Sequence, residues 1–315
     1  MNQPHLPVML AETLAVLAPR PGGLYVDGTL GAGGHAAAIL NACAPDGRLL
    51  GLDRDPAALE LAAERLGGLG GRVVLRRESF DRMGEAMRET GVGKADGILL
   101  DLGVSSMQLD QPGRGFSFRH DAPLDMRMGP EGASAAELLA DLDENALARL
   151  LREYGEEPFA RVIARALTRA RASAPIATTG RLAALVEAAL PAAERRKRKL
   201  HPATQVFQAL RIAVNDELGR LDRFLAGLPA WLTPGGRVAV ISYHSLEDRR
   251  VKRALAGLAR PCTCPPRLAV CACGRKPLVE LLTPKALRAG AAEVEANPRA
   301  RSARLRAAAR TGEAL

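Results

Sequence analysis

Aromatic residues are scarce in this chain: one Trp, three Tyr and six Phe among 315 residues, or 3%. So few rings argue against an extended platform on which successive bases stack. Cysteine is scarce too, and five in a chain this long cannot make a disulfide scaffold. No apolar run approaches the roughly 20 residues that a bilayer span requires. The opening Met1-Asn2-Gln3-Pro4-His5 has no basic stretch feeding an apolar core, so no secretory signal is expected. A cytoplasmic protein without membrane contact is the expectation. Hydrophobic residues make up 47%, enough for one large α/β domain and a smaller one.

Charge is plentiful but uneven. The formal net charge is +9. Residues 1–112 carry 10 basic and 14 acidic side chains, whereas residues 249–315 carry 15 and 4. Scattered charge serves solubility alone. A positive field confined to one end instead suits a polyanion, since each phosphate neutralised by Lys or Arg releases condensed counterions. Nucleic acid is the expected partner class.

The first hundred residues alternate between two periodicities. Short apolar runs at Leu24–Val26, Arg48–Leu52, Arg72–Leu75 and Gly97–Leu100 predict buried strands. Helical stretches lie between them at about 34–43, 56–66 and 81–90, with Pro56 after Asp55 marking a helix start. That order predicts βαβ units and a doubly wound, mainly parallel sheet. From Gln111 to Gly132 the chain reads as a long ordered loop, of the kind that usually carries function. Only helices follow. Ser134–Glu137 is a capping box, and Leu147, Leu150, Leu151 and Tyr154 form a stripe ending at Gly155. Pro158 opens a helix with Phe159, Val162, Ile163 and Ala166 on one face. Thr179 caps another, and a longer one runs from Ala203 to Leu225. The β pattern returns at Gly236–Ile241, with a helix to Ala259 and two more strands near Leu278–Leu282 and Ser302–Ala307. The reading is a discontinuous α/β domain, 1–112 with 214–315, holding an all-helical insertion at 113–213.

Asp27-Gly-Thr-Leu-Gly-Ala-Gly-Gly-His35 follows the first strand and leads into a helix. Glycines there let the backbone turn sharply and approach a ligand, and the helix N-terminus offers N–H groups to an anion. Asp53 ends the second strand, where an acid can accept hydrogen bonds from both ribose hydroxyls. Gly31, Gly33 and Ala36 satisfy the G-x-G-x-x-G/A fingerprint. With strand, helix and acid in register, an adenosine-containing ligand is expected rather than a merely structural turn. Asp101 ends the fourth strand, where open α/β sheets place ligands. An acid there can pair with the ammonium of a methionine moiety, or simply cap the next turn.

Several blocks now resemble a known family. Asp27–His35, Asp101-Leu-Gly-Val-Ser-Ser-Met-Gln-Leu-Asp110, Arg114-Gly-Phe-Ser-Phe118, Pro123-Leu-Asp-Met-Arg-Met128, His201–Ile212, Val214-Asn215, Ser242-Tyr-His-Ser-Leu-Glu-Asp-Arg249 and Asn297–Ser302 are similar to the bacterial 16S rRNA (cytosine-N4)-methyltransferases, the RsmH or MraW family. The resemblance runs from about His5 to Arg306. It implies a class I, Rossmann-like methyltransferase fold with a helical insertion, and S-adenosylmethionine as methyl donor. The acceptor it implies is the N4 amine of a decoding-centre cytidine near the P site, in the small subunit or its precursor. By position, Gly33, Gly34 and His35 would hold the methionine end of the donor, Asp53 the ribose and Phe80 the adenine side. Asp101 and Gln108 would complete the pocket. One position departs: the family's usual Arg after His-Pro-Ala-Thr is Gln205 here, which puts any phosphate contact there in doubt.

The cytosine amine is a poor nucleophile because its lone pair is delocalised into the ring. An acceptor hydrogen-bonded to an amine proton helps localise that pair, and the proton must finally leave. Positioning supplies the rest. Asp101, or carbonyls beside it, is the candidate for one side of the acceptor site. Tyr243 and His244 are candidates for the other, with packing and helix capping as their plainer roles. The run Arg195-Arg196-Lys197-Arg198-Lys199 is a candidate RNA contact, as are Arg299, Arg301, Arg304 and Arg306. Cys262-Thr-Cys264 and Cys271-Ala-Cys273 supply four thiolates that could hold zinc. Yet C-x-C is a weaker signal than C-x-x-C, so reduced free thiols and no metal are expected.

Two other readings share these residues. One is a nucleotide-dependent oxidoreductase, disfavoured by the basic tail and the missing substrate-domain chemistry. The other is an rRNA-binding assembly factor without turnover, disfavoured by Asp53, Asp101 and the full glycine loop.

Overall fold

The computed structural model describes residues 7–105, 108–109, 111–265 and 272–314. His5, Ser106, Met107, Asp110 and Cys271, all used in the sequence reading, lie outside the described residues. The chain divides into two compact units, 1–103 with 219–315 and 104–218. The sequence reading placed the corresponding boundaries at 112/113 and 213/214.

The first unit is built on seven strands: β1 (Leu24–Asp27), β2 (Arg48–Asp53), β3 (Val73–Arg77), β4 (Ala95–Asp101), β5 (Leu232–Ser242), β6 (Val279–Leu281) and β7 (Arg304–Arg310). Their order is β3-β2-β1-β4-β5-β7-β6. The first five are parallel, and β7 runs antiparallel to both β5 and β6. Helices α1 (Leu10–Leu17), α2 (Gly34–Ala42), α3 (Pro56–Leu66) and α4 (Met83–Glu89) are interleaved with the early strands.

The strands read as unbroken apolar runs because both faces are covered. Tyr25, Leu49, Leu99 and Ala239 point one way, onto Leu17, Ile39, Leu40 and Leu66 of α1, α2 and α3. Val26, Leu50, Leu100 and Val240 point the other way, onto α4 and onto Phe224, Leu228, Val251 and Leu255 from two later helices. This is the doubly wound class I architecture. The winding reverses between β1 and β4, so a crevice opens beyond their carboxyl ends, where Asp27 and Asp101 stand.

The second unit is helical, with helices at Ala135–Asp141, Glu144–Gly155, Ala160–Ser173, Thr179–Ala189, Ala192–Lys197 and Ala203–Asn215. The Ser134 capping box forms as expected. Three local expectations are corrected. Val162 is 47% exposed, because the buried stripe of its helix is Ile163, Ala164 and Leu167. Thr178, not Thr179, is the N-cap, its hydroxyl accepting from the Arg181 N–H. Thr179 is buried; its hydroxyl donates to His120 O and accepts from the Ala122 N–H. The long helix from Ala203 is broken at Asp216, which takes a left-handed φ of 48°, and a second helix spans Glu217–Trp231.

The 111–132 loop is ordered by its own apolar side chains: Phe116, Leu124 and Met126 are buried in the helical core. Asn215 clamps it, donating to Met126 O at 2.8 Å and accepting from the Met128 N–H at 2.8 Å. Gly115 makes the turn with φ +71°, and a Cβ there would meet Pro123 O at 2.5 Å.

Candidate functional site

β1 delivers its chain end into the glycine loop, where Gly31 and Gly33 take positive φ of 53° and 75°. Gly33 then serves as N-cap of α2 without any side-chain cap, so the first N–H groups of that helix point outward unclaimed by side chains. The tip of β2 closes the other side. Asp53 Oδ2 accepts from the Gly31 N–H at 2.8 Å, and Oδ1 accepts from the Asp55 N–H at 2.9 Å. Each oxygen keeps a second lone pair, so the same carboxylate that pins the loop can take a pair of hydroxyls. Burial raises its pKa. Phe80 follows β3, half-buried, its ring edge-on to Phe224 at 6.0 Å.

A polar chain runs across the mouth of the crevice. The Thr29 N–H donates to Asp27 Oδ1 at 3.1 Å, and the Asp101 N–H donates to Thr29 Oγ at 2.6 Å. The Tyr243 hydroxyl donates to Asp101 Oδ1 at 2.7 Å, while His35 Nε2 lies 3.6 Å from Asp101 Oδ2. Asp27 is 1% exposed, and burial pushes its carboxyl up to about 7 against the pull of His35. Burial works to lower the His35 pKa, but the Asp101 and Asp27 carboxyl groups outweigh it and the net shift is upward. Burial, then Asp101, hold the Tyr243 phenol far above its ordinary range. Tyr243 is therefore held as a donor to Asp101.

His35 has both ring nitrogens buried without a hydrogen-bond partner among the described residues. A buried imidazole with only the Asp101 carboxyl group at 3.6 Å, an uncapped helix start and an acid at the next strand tip are what a nucleotide-like ligand with a charged end would satisfy.

The structure thus brings together Gly33, Gly34, His35, Asp53, Asp101 and Tyr243, and places Phe80 beyond the neighbouring strand. Gln108 belongs to the other unit, where it is buried, its Oε1 accepting from the Ser105 N–H at 3.1 Å. His244 does not join the Asp101 group. It is the N-cap residue of the helix Ser245–Ala259, with Nε2 3.2 Å from Glu247 Oε1. Sequence reasoning missed Glu247, whose Oε2 accepts from the Tyr243 and His244 N–H groups at 2.8 and 3.2 Å and so fixes the end of β5. Its signal was an acid three residues after an N-cap. The Thr29 hydroxyl was also missed.

The basic candidates divide. Arg198 is held by the fully buried Glu157 at 2.6 and 2.8 Å and also donates to Gln205. Arg304 and Arg306 both pair with Asp248. Arg196 and Lys199 are exposed and have no ion-pair partner among the described residues, while Arg195–Lys197 close a short helix in which Arg195 pairs with Glu187 and Lys197 with Glu194. Beside Tyr243, a cleft is lined by His244, Ser245, Arg288, Arg301, Ser302 and Arg304. Arg288 and Arg301 are exposed there without an ion-pair partner among the described residues.

Residues 2–311 match the model of one protein family, the MraW methylases. The chain belongs to the MraW methylase family. It is a methyltransferase, and its methyl donor is S-adenosylmethionine. A ribosomal RNA small subunit methyltransferase H of Symbiobacterium thermophilum is 55% identical over 304 residues, covering 96% of this chain and 95% of that protein. One from Geobacter sulfurreducens is 54% identical over 309 residues, covering 98% and 99%. Among solved structures, a putative rRNA-methylase from Clostridium thermocellum is similar with TM-score 0.46 and 12% identity, covering 98% of this chain and 100% of that one.

Proposed function

We propose that this MraW methylase transfers a methyl group from S-adenosylmethionine to the exocyclic N4 amine of a decoding-centre cytidine in 16S rRNA, within the small subunit or its precursor. The observation that carries the reading is the Asp101 carboxyl group at the β1/β4 switch point, flanked by the Tyr243 hydroxyl and His35. Relatives at 54–55% identity bear the name of small-subunit rRNA methyltransferases, and the basic C-terminal region suits an RNA partner. No helix among the described residues is long and apolar enough to cross a membrane, which agrees with work on ribosomal particles in the cytoplasm.

In this reading the bound donor supplies an electrophilic methyl group on a sulfonium. The α2 N–H groups at Gly34 and His35 hold a carboxylate. Asp53 takes the ribose hydroxyls and Phe80 flanks the adenine. Asp101 accepts from the ammonium of the donor or from a proton of the cytosine amine, and Tyr243 fixes which way that carboxyl group faces. Arg288 and Arg301 take RNA phosphates beside Tyr243, with Arg196, Lys199 and Arg299 as further phosphate contacts. Phosphates held there bring the base to the Tyr243 side of the crevice, and reaching a stacked base requires it to be turned out.

The test is mass spectrometry of 16S rRNA from cells lacking the protein, paired with radiolabelled methyl transfer by purified protein to small-subunit particles. Loss of one N4-methyl mark and its restoration in vitro are expected. An unchanged set of marks would overturn the assignment, and methyl transfer to a different base would correct the acceptor.

A further inference from the structure

The loop that joins the helix Ser245–Ala259 to β6 contributes no residue to the candidate site above, yet it carries four of the five cysteines. None of its described residues between Arg260 and Leu278 belongs to a helix or strand. Sequence spacing alone favoured free thiols there. The structure differs: the Sγ atoms of Cys262, Cys264 and Cys273 all lie within 4.8 Å of one another. A tetrahedral zinc with bonds of about 2.3 Å needs its sulfurs about 3.8 Å apart, so the three thiols stand at ligating separation. They converge from two stretches of chain in a loop whose described residues have no helix or strand to scaffold them. The Ala272 N–H, moreover, donates to Cys264 Sγ at 3.4 Å. A backbone donor aimed at sulfur orients it, as the outer partners of metal ligands do. Cys43, by contrast, is buried in the core of the sheet and stands apart.

We propose that Cys262, Cys264 and Cys273 form a structural zinc site that closes this loop. The three protein ligands are all sulfur, with no carboxylate or imidazole in the group, and the fourth tetrahedral position falls to water or a further donor; such a set selects a soft or borderline cation such as zinc over magnesium or calcium. Each thiol gives up its proton to solvent as its Zn–S bond forms, and no electron changes hands. Cys271 lies outside the described residues and is not counted among the ligands. The site lies on the same loop as the basic residues Arg260, Arg275 and Lys276, the last of which pairs with Glu313 at 3.1 Å. This inference does not depend on the RNA reading, because metal content is measured without substrate.

The experiment uses the full chain purified without added metal or chelator. Elemental analysis should find about one zinc per chain. Cys264→Ser and Cys273→Ser should each lower zinc content or affinity by about tenfold or more. Should a variant fail to fold, the wild-type protein still decides. After stripping, cobalt(II) should give sulfur-to-metal charge-transfer absorption, and chelation should raise the number of thiols that react without denaturant. Zinc-free protein that also fails to take up zinc or cobalt under reducing conditions would overturn the proposal. So would a disulfide among these cysteines in protein kept under reducing buffer.

Discussion

Asp101 sits where three different demands meet. Its backbone N–H is spent on Thr29 and one carboxyl oxygen on the Tyr243 hydroxyl, while the other oxygen faces His35. Asp101→Asn keeps the shape but replaces one acceptor oxygen by a donor. Methyl transfer should fall by about 10²-fold or more, with cofactor affinity measured separately to divide the effect between binding and proton handling. Normal turnover would remove Asp101 from the mechanism. Tyr243→Phe should cost less, because it frees the carboxyl group without discharging it; a loss as large as that of Asp101→Asn would make the phenol itself a reacting group. Asp27 gives a pH signature. Its folded pKa of about 7 lies above the ordinary 3.8, so the fold is favoured by the protonated form. That contribution is full below about pH 4 and is lost as pH rises through 7. Asp27→Asn should therefore flatten the decline in stability between pH 4 and 7, read from denaturant midpoints; an unchanged slope would show that Asp27 does not govern it.

At the scale of elements, the parallel strands were legible because burial on both faces writes them as unbroken Val, Leu and Ile runs of the right length. The glycine loop and the acids at the tips of β2 and β4 were legible because the chemistry and the spacing coincide. What escaped was set by partners distant in sequence. Nothing local marks the Thr29 hydroxyl as partner of an amide 72 residues away. Thr178 and Thr179 are equally good caps by composition; only the neighbouring His120–Ala122 segment draws Thr179 inward. The break at Asp216 was masked by apolar periodicity that continues on both sides of it. Arg198 looked like surface charge because its partner Glu157 lies 41 residues back and buried. Asn215 illustrates the stake: its amide serves Met126, Met128 and Arg211 in a buried setting. Asn215→Ala leaves the Met126 carbonyl and the Met128 N–H without these partners and should cost about 2–3 kcal/mol, seen as a lower urea midpoint with unchanged m-value. A loss under about 0.5 kcal/mol would mean the loop is held by its apolar anchors alone.

For the whole molecule, charge asymmetry and the site belong to one account. Asp27, Asp53 and Asp101 of the first third stand at the strand tips around the crevice, and Arg288 and Arg301 of the last third line the cleft beside Tyr243. Replacing both by Gln should weaken RNA binding and lower the slope of log K against log salt by up to roughly 0.7–0.9 for each phosphate that is no longer neutralised. Cofactor binding should not change. An unaltered salt slope would make these two residues bystanders.

The pocket itself is tested most directly by calorimetry with S-adenosylmethionine against the wild-type protein, Asp53→Ala and, as a control ligand, NAD. Saturable binding of the sulfonium compound is expected, weakened by about tenfold to a hundredfold in Asp53→Ala, as loss of charge-assisted hydrogen bonds to a ribose requires. No heat at millimolar S-adenosylmethionine, or equal binding of NAD, would contradict the account.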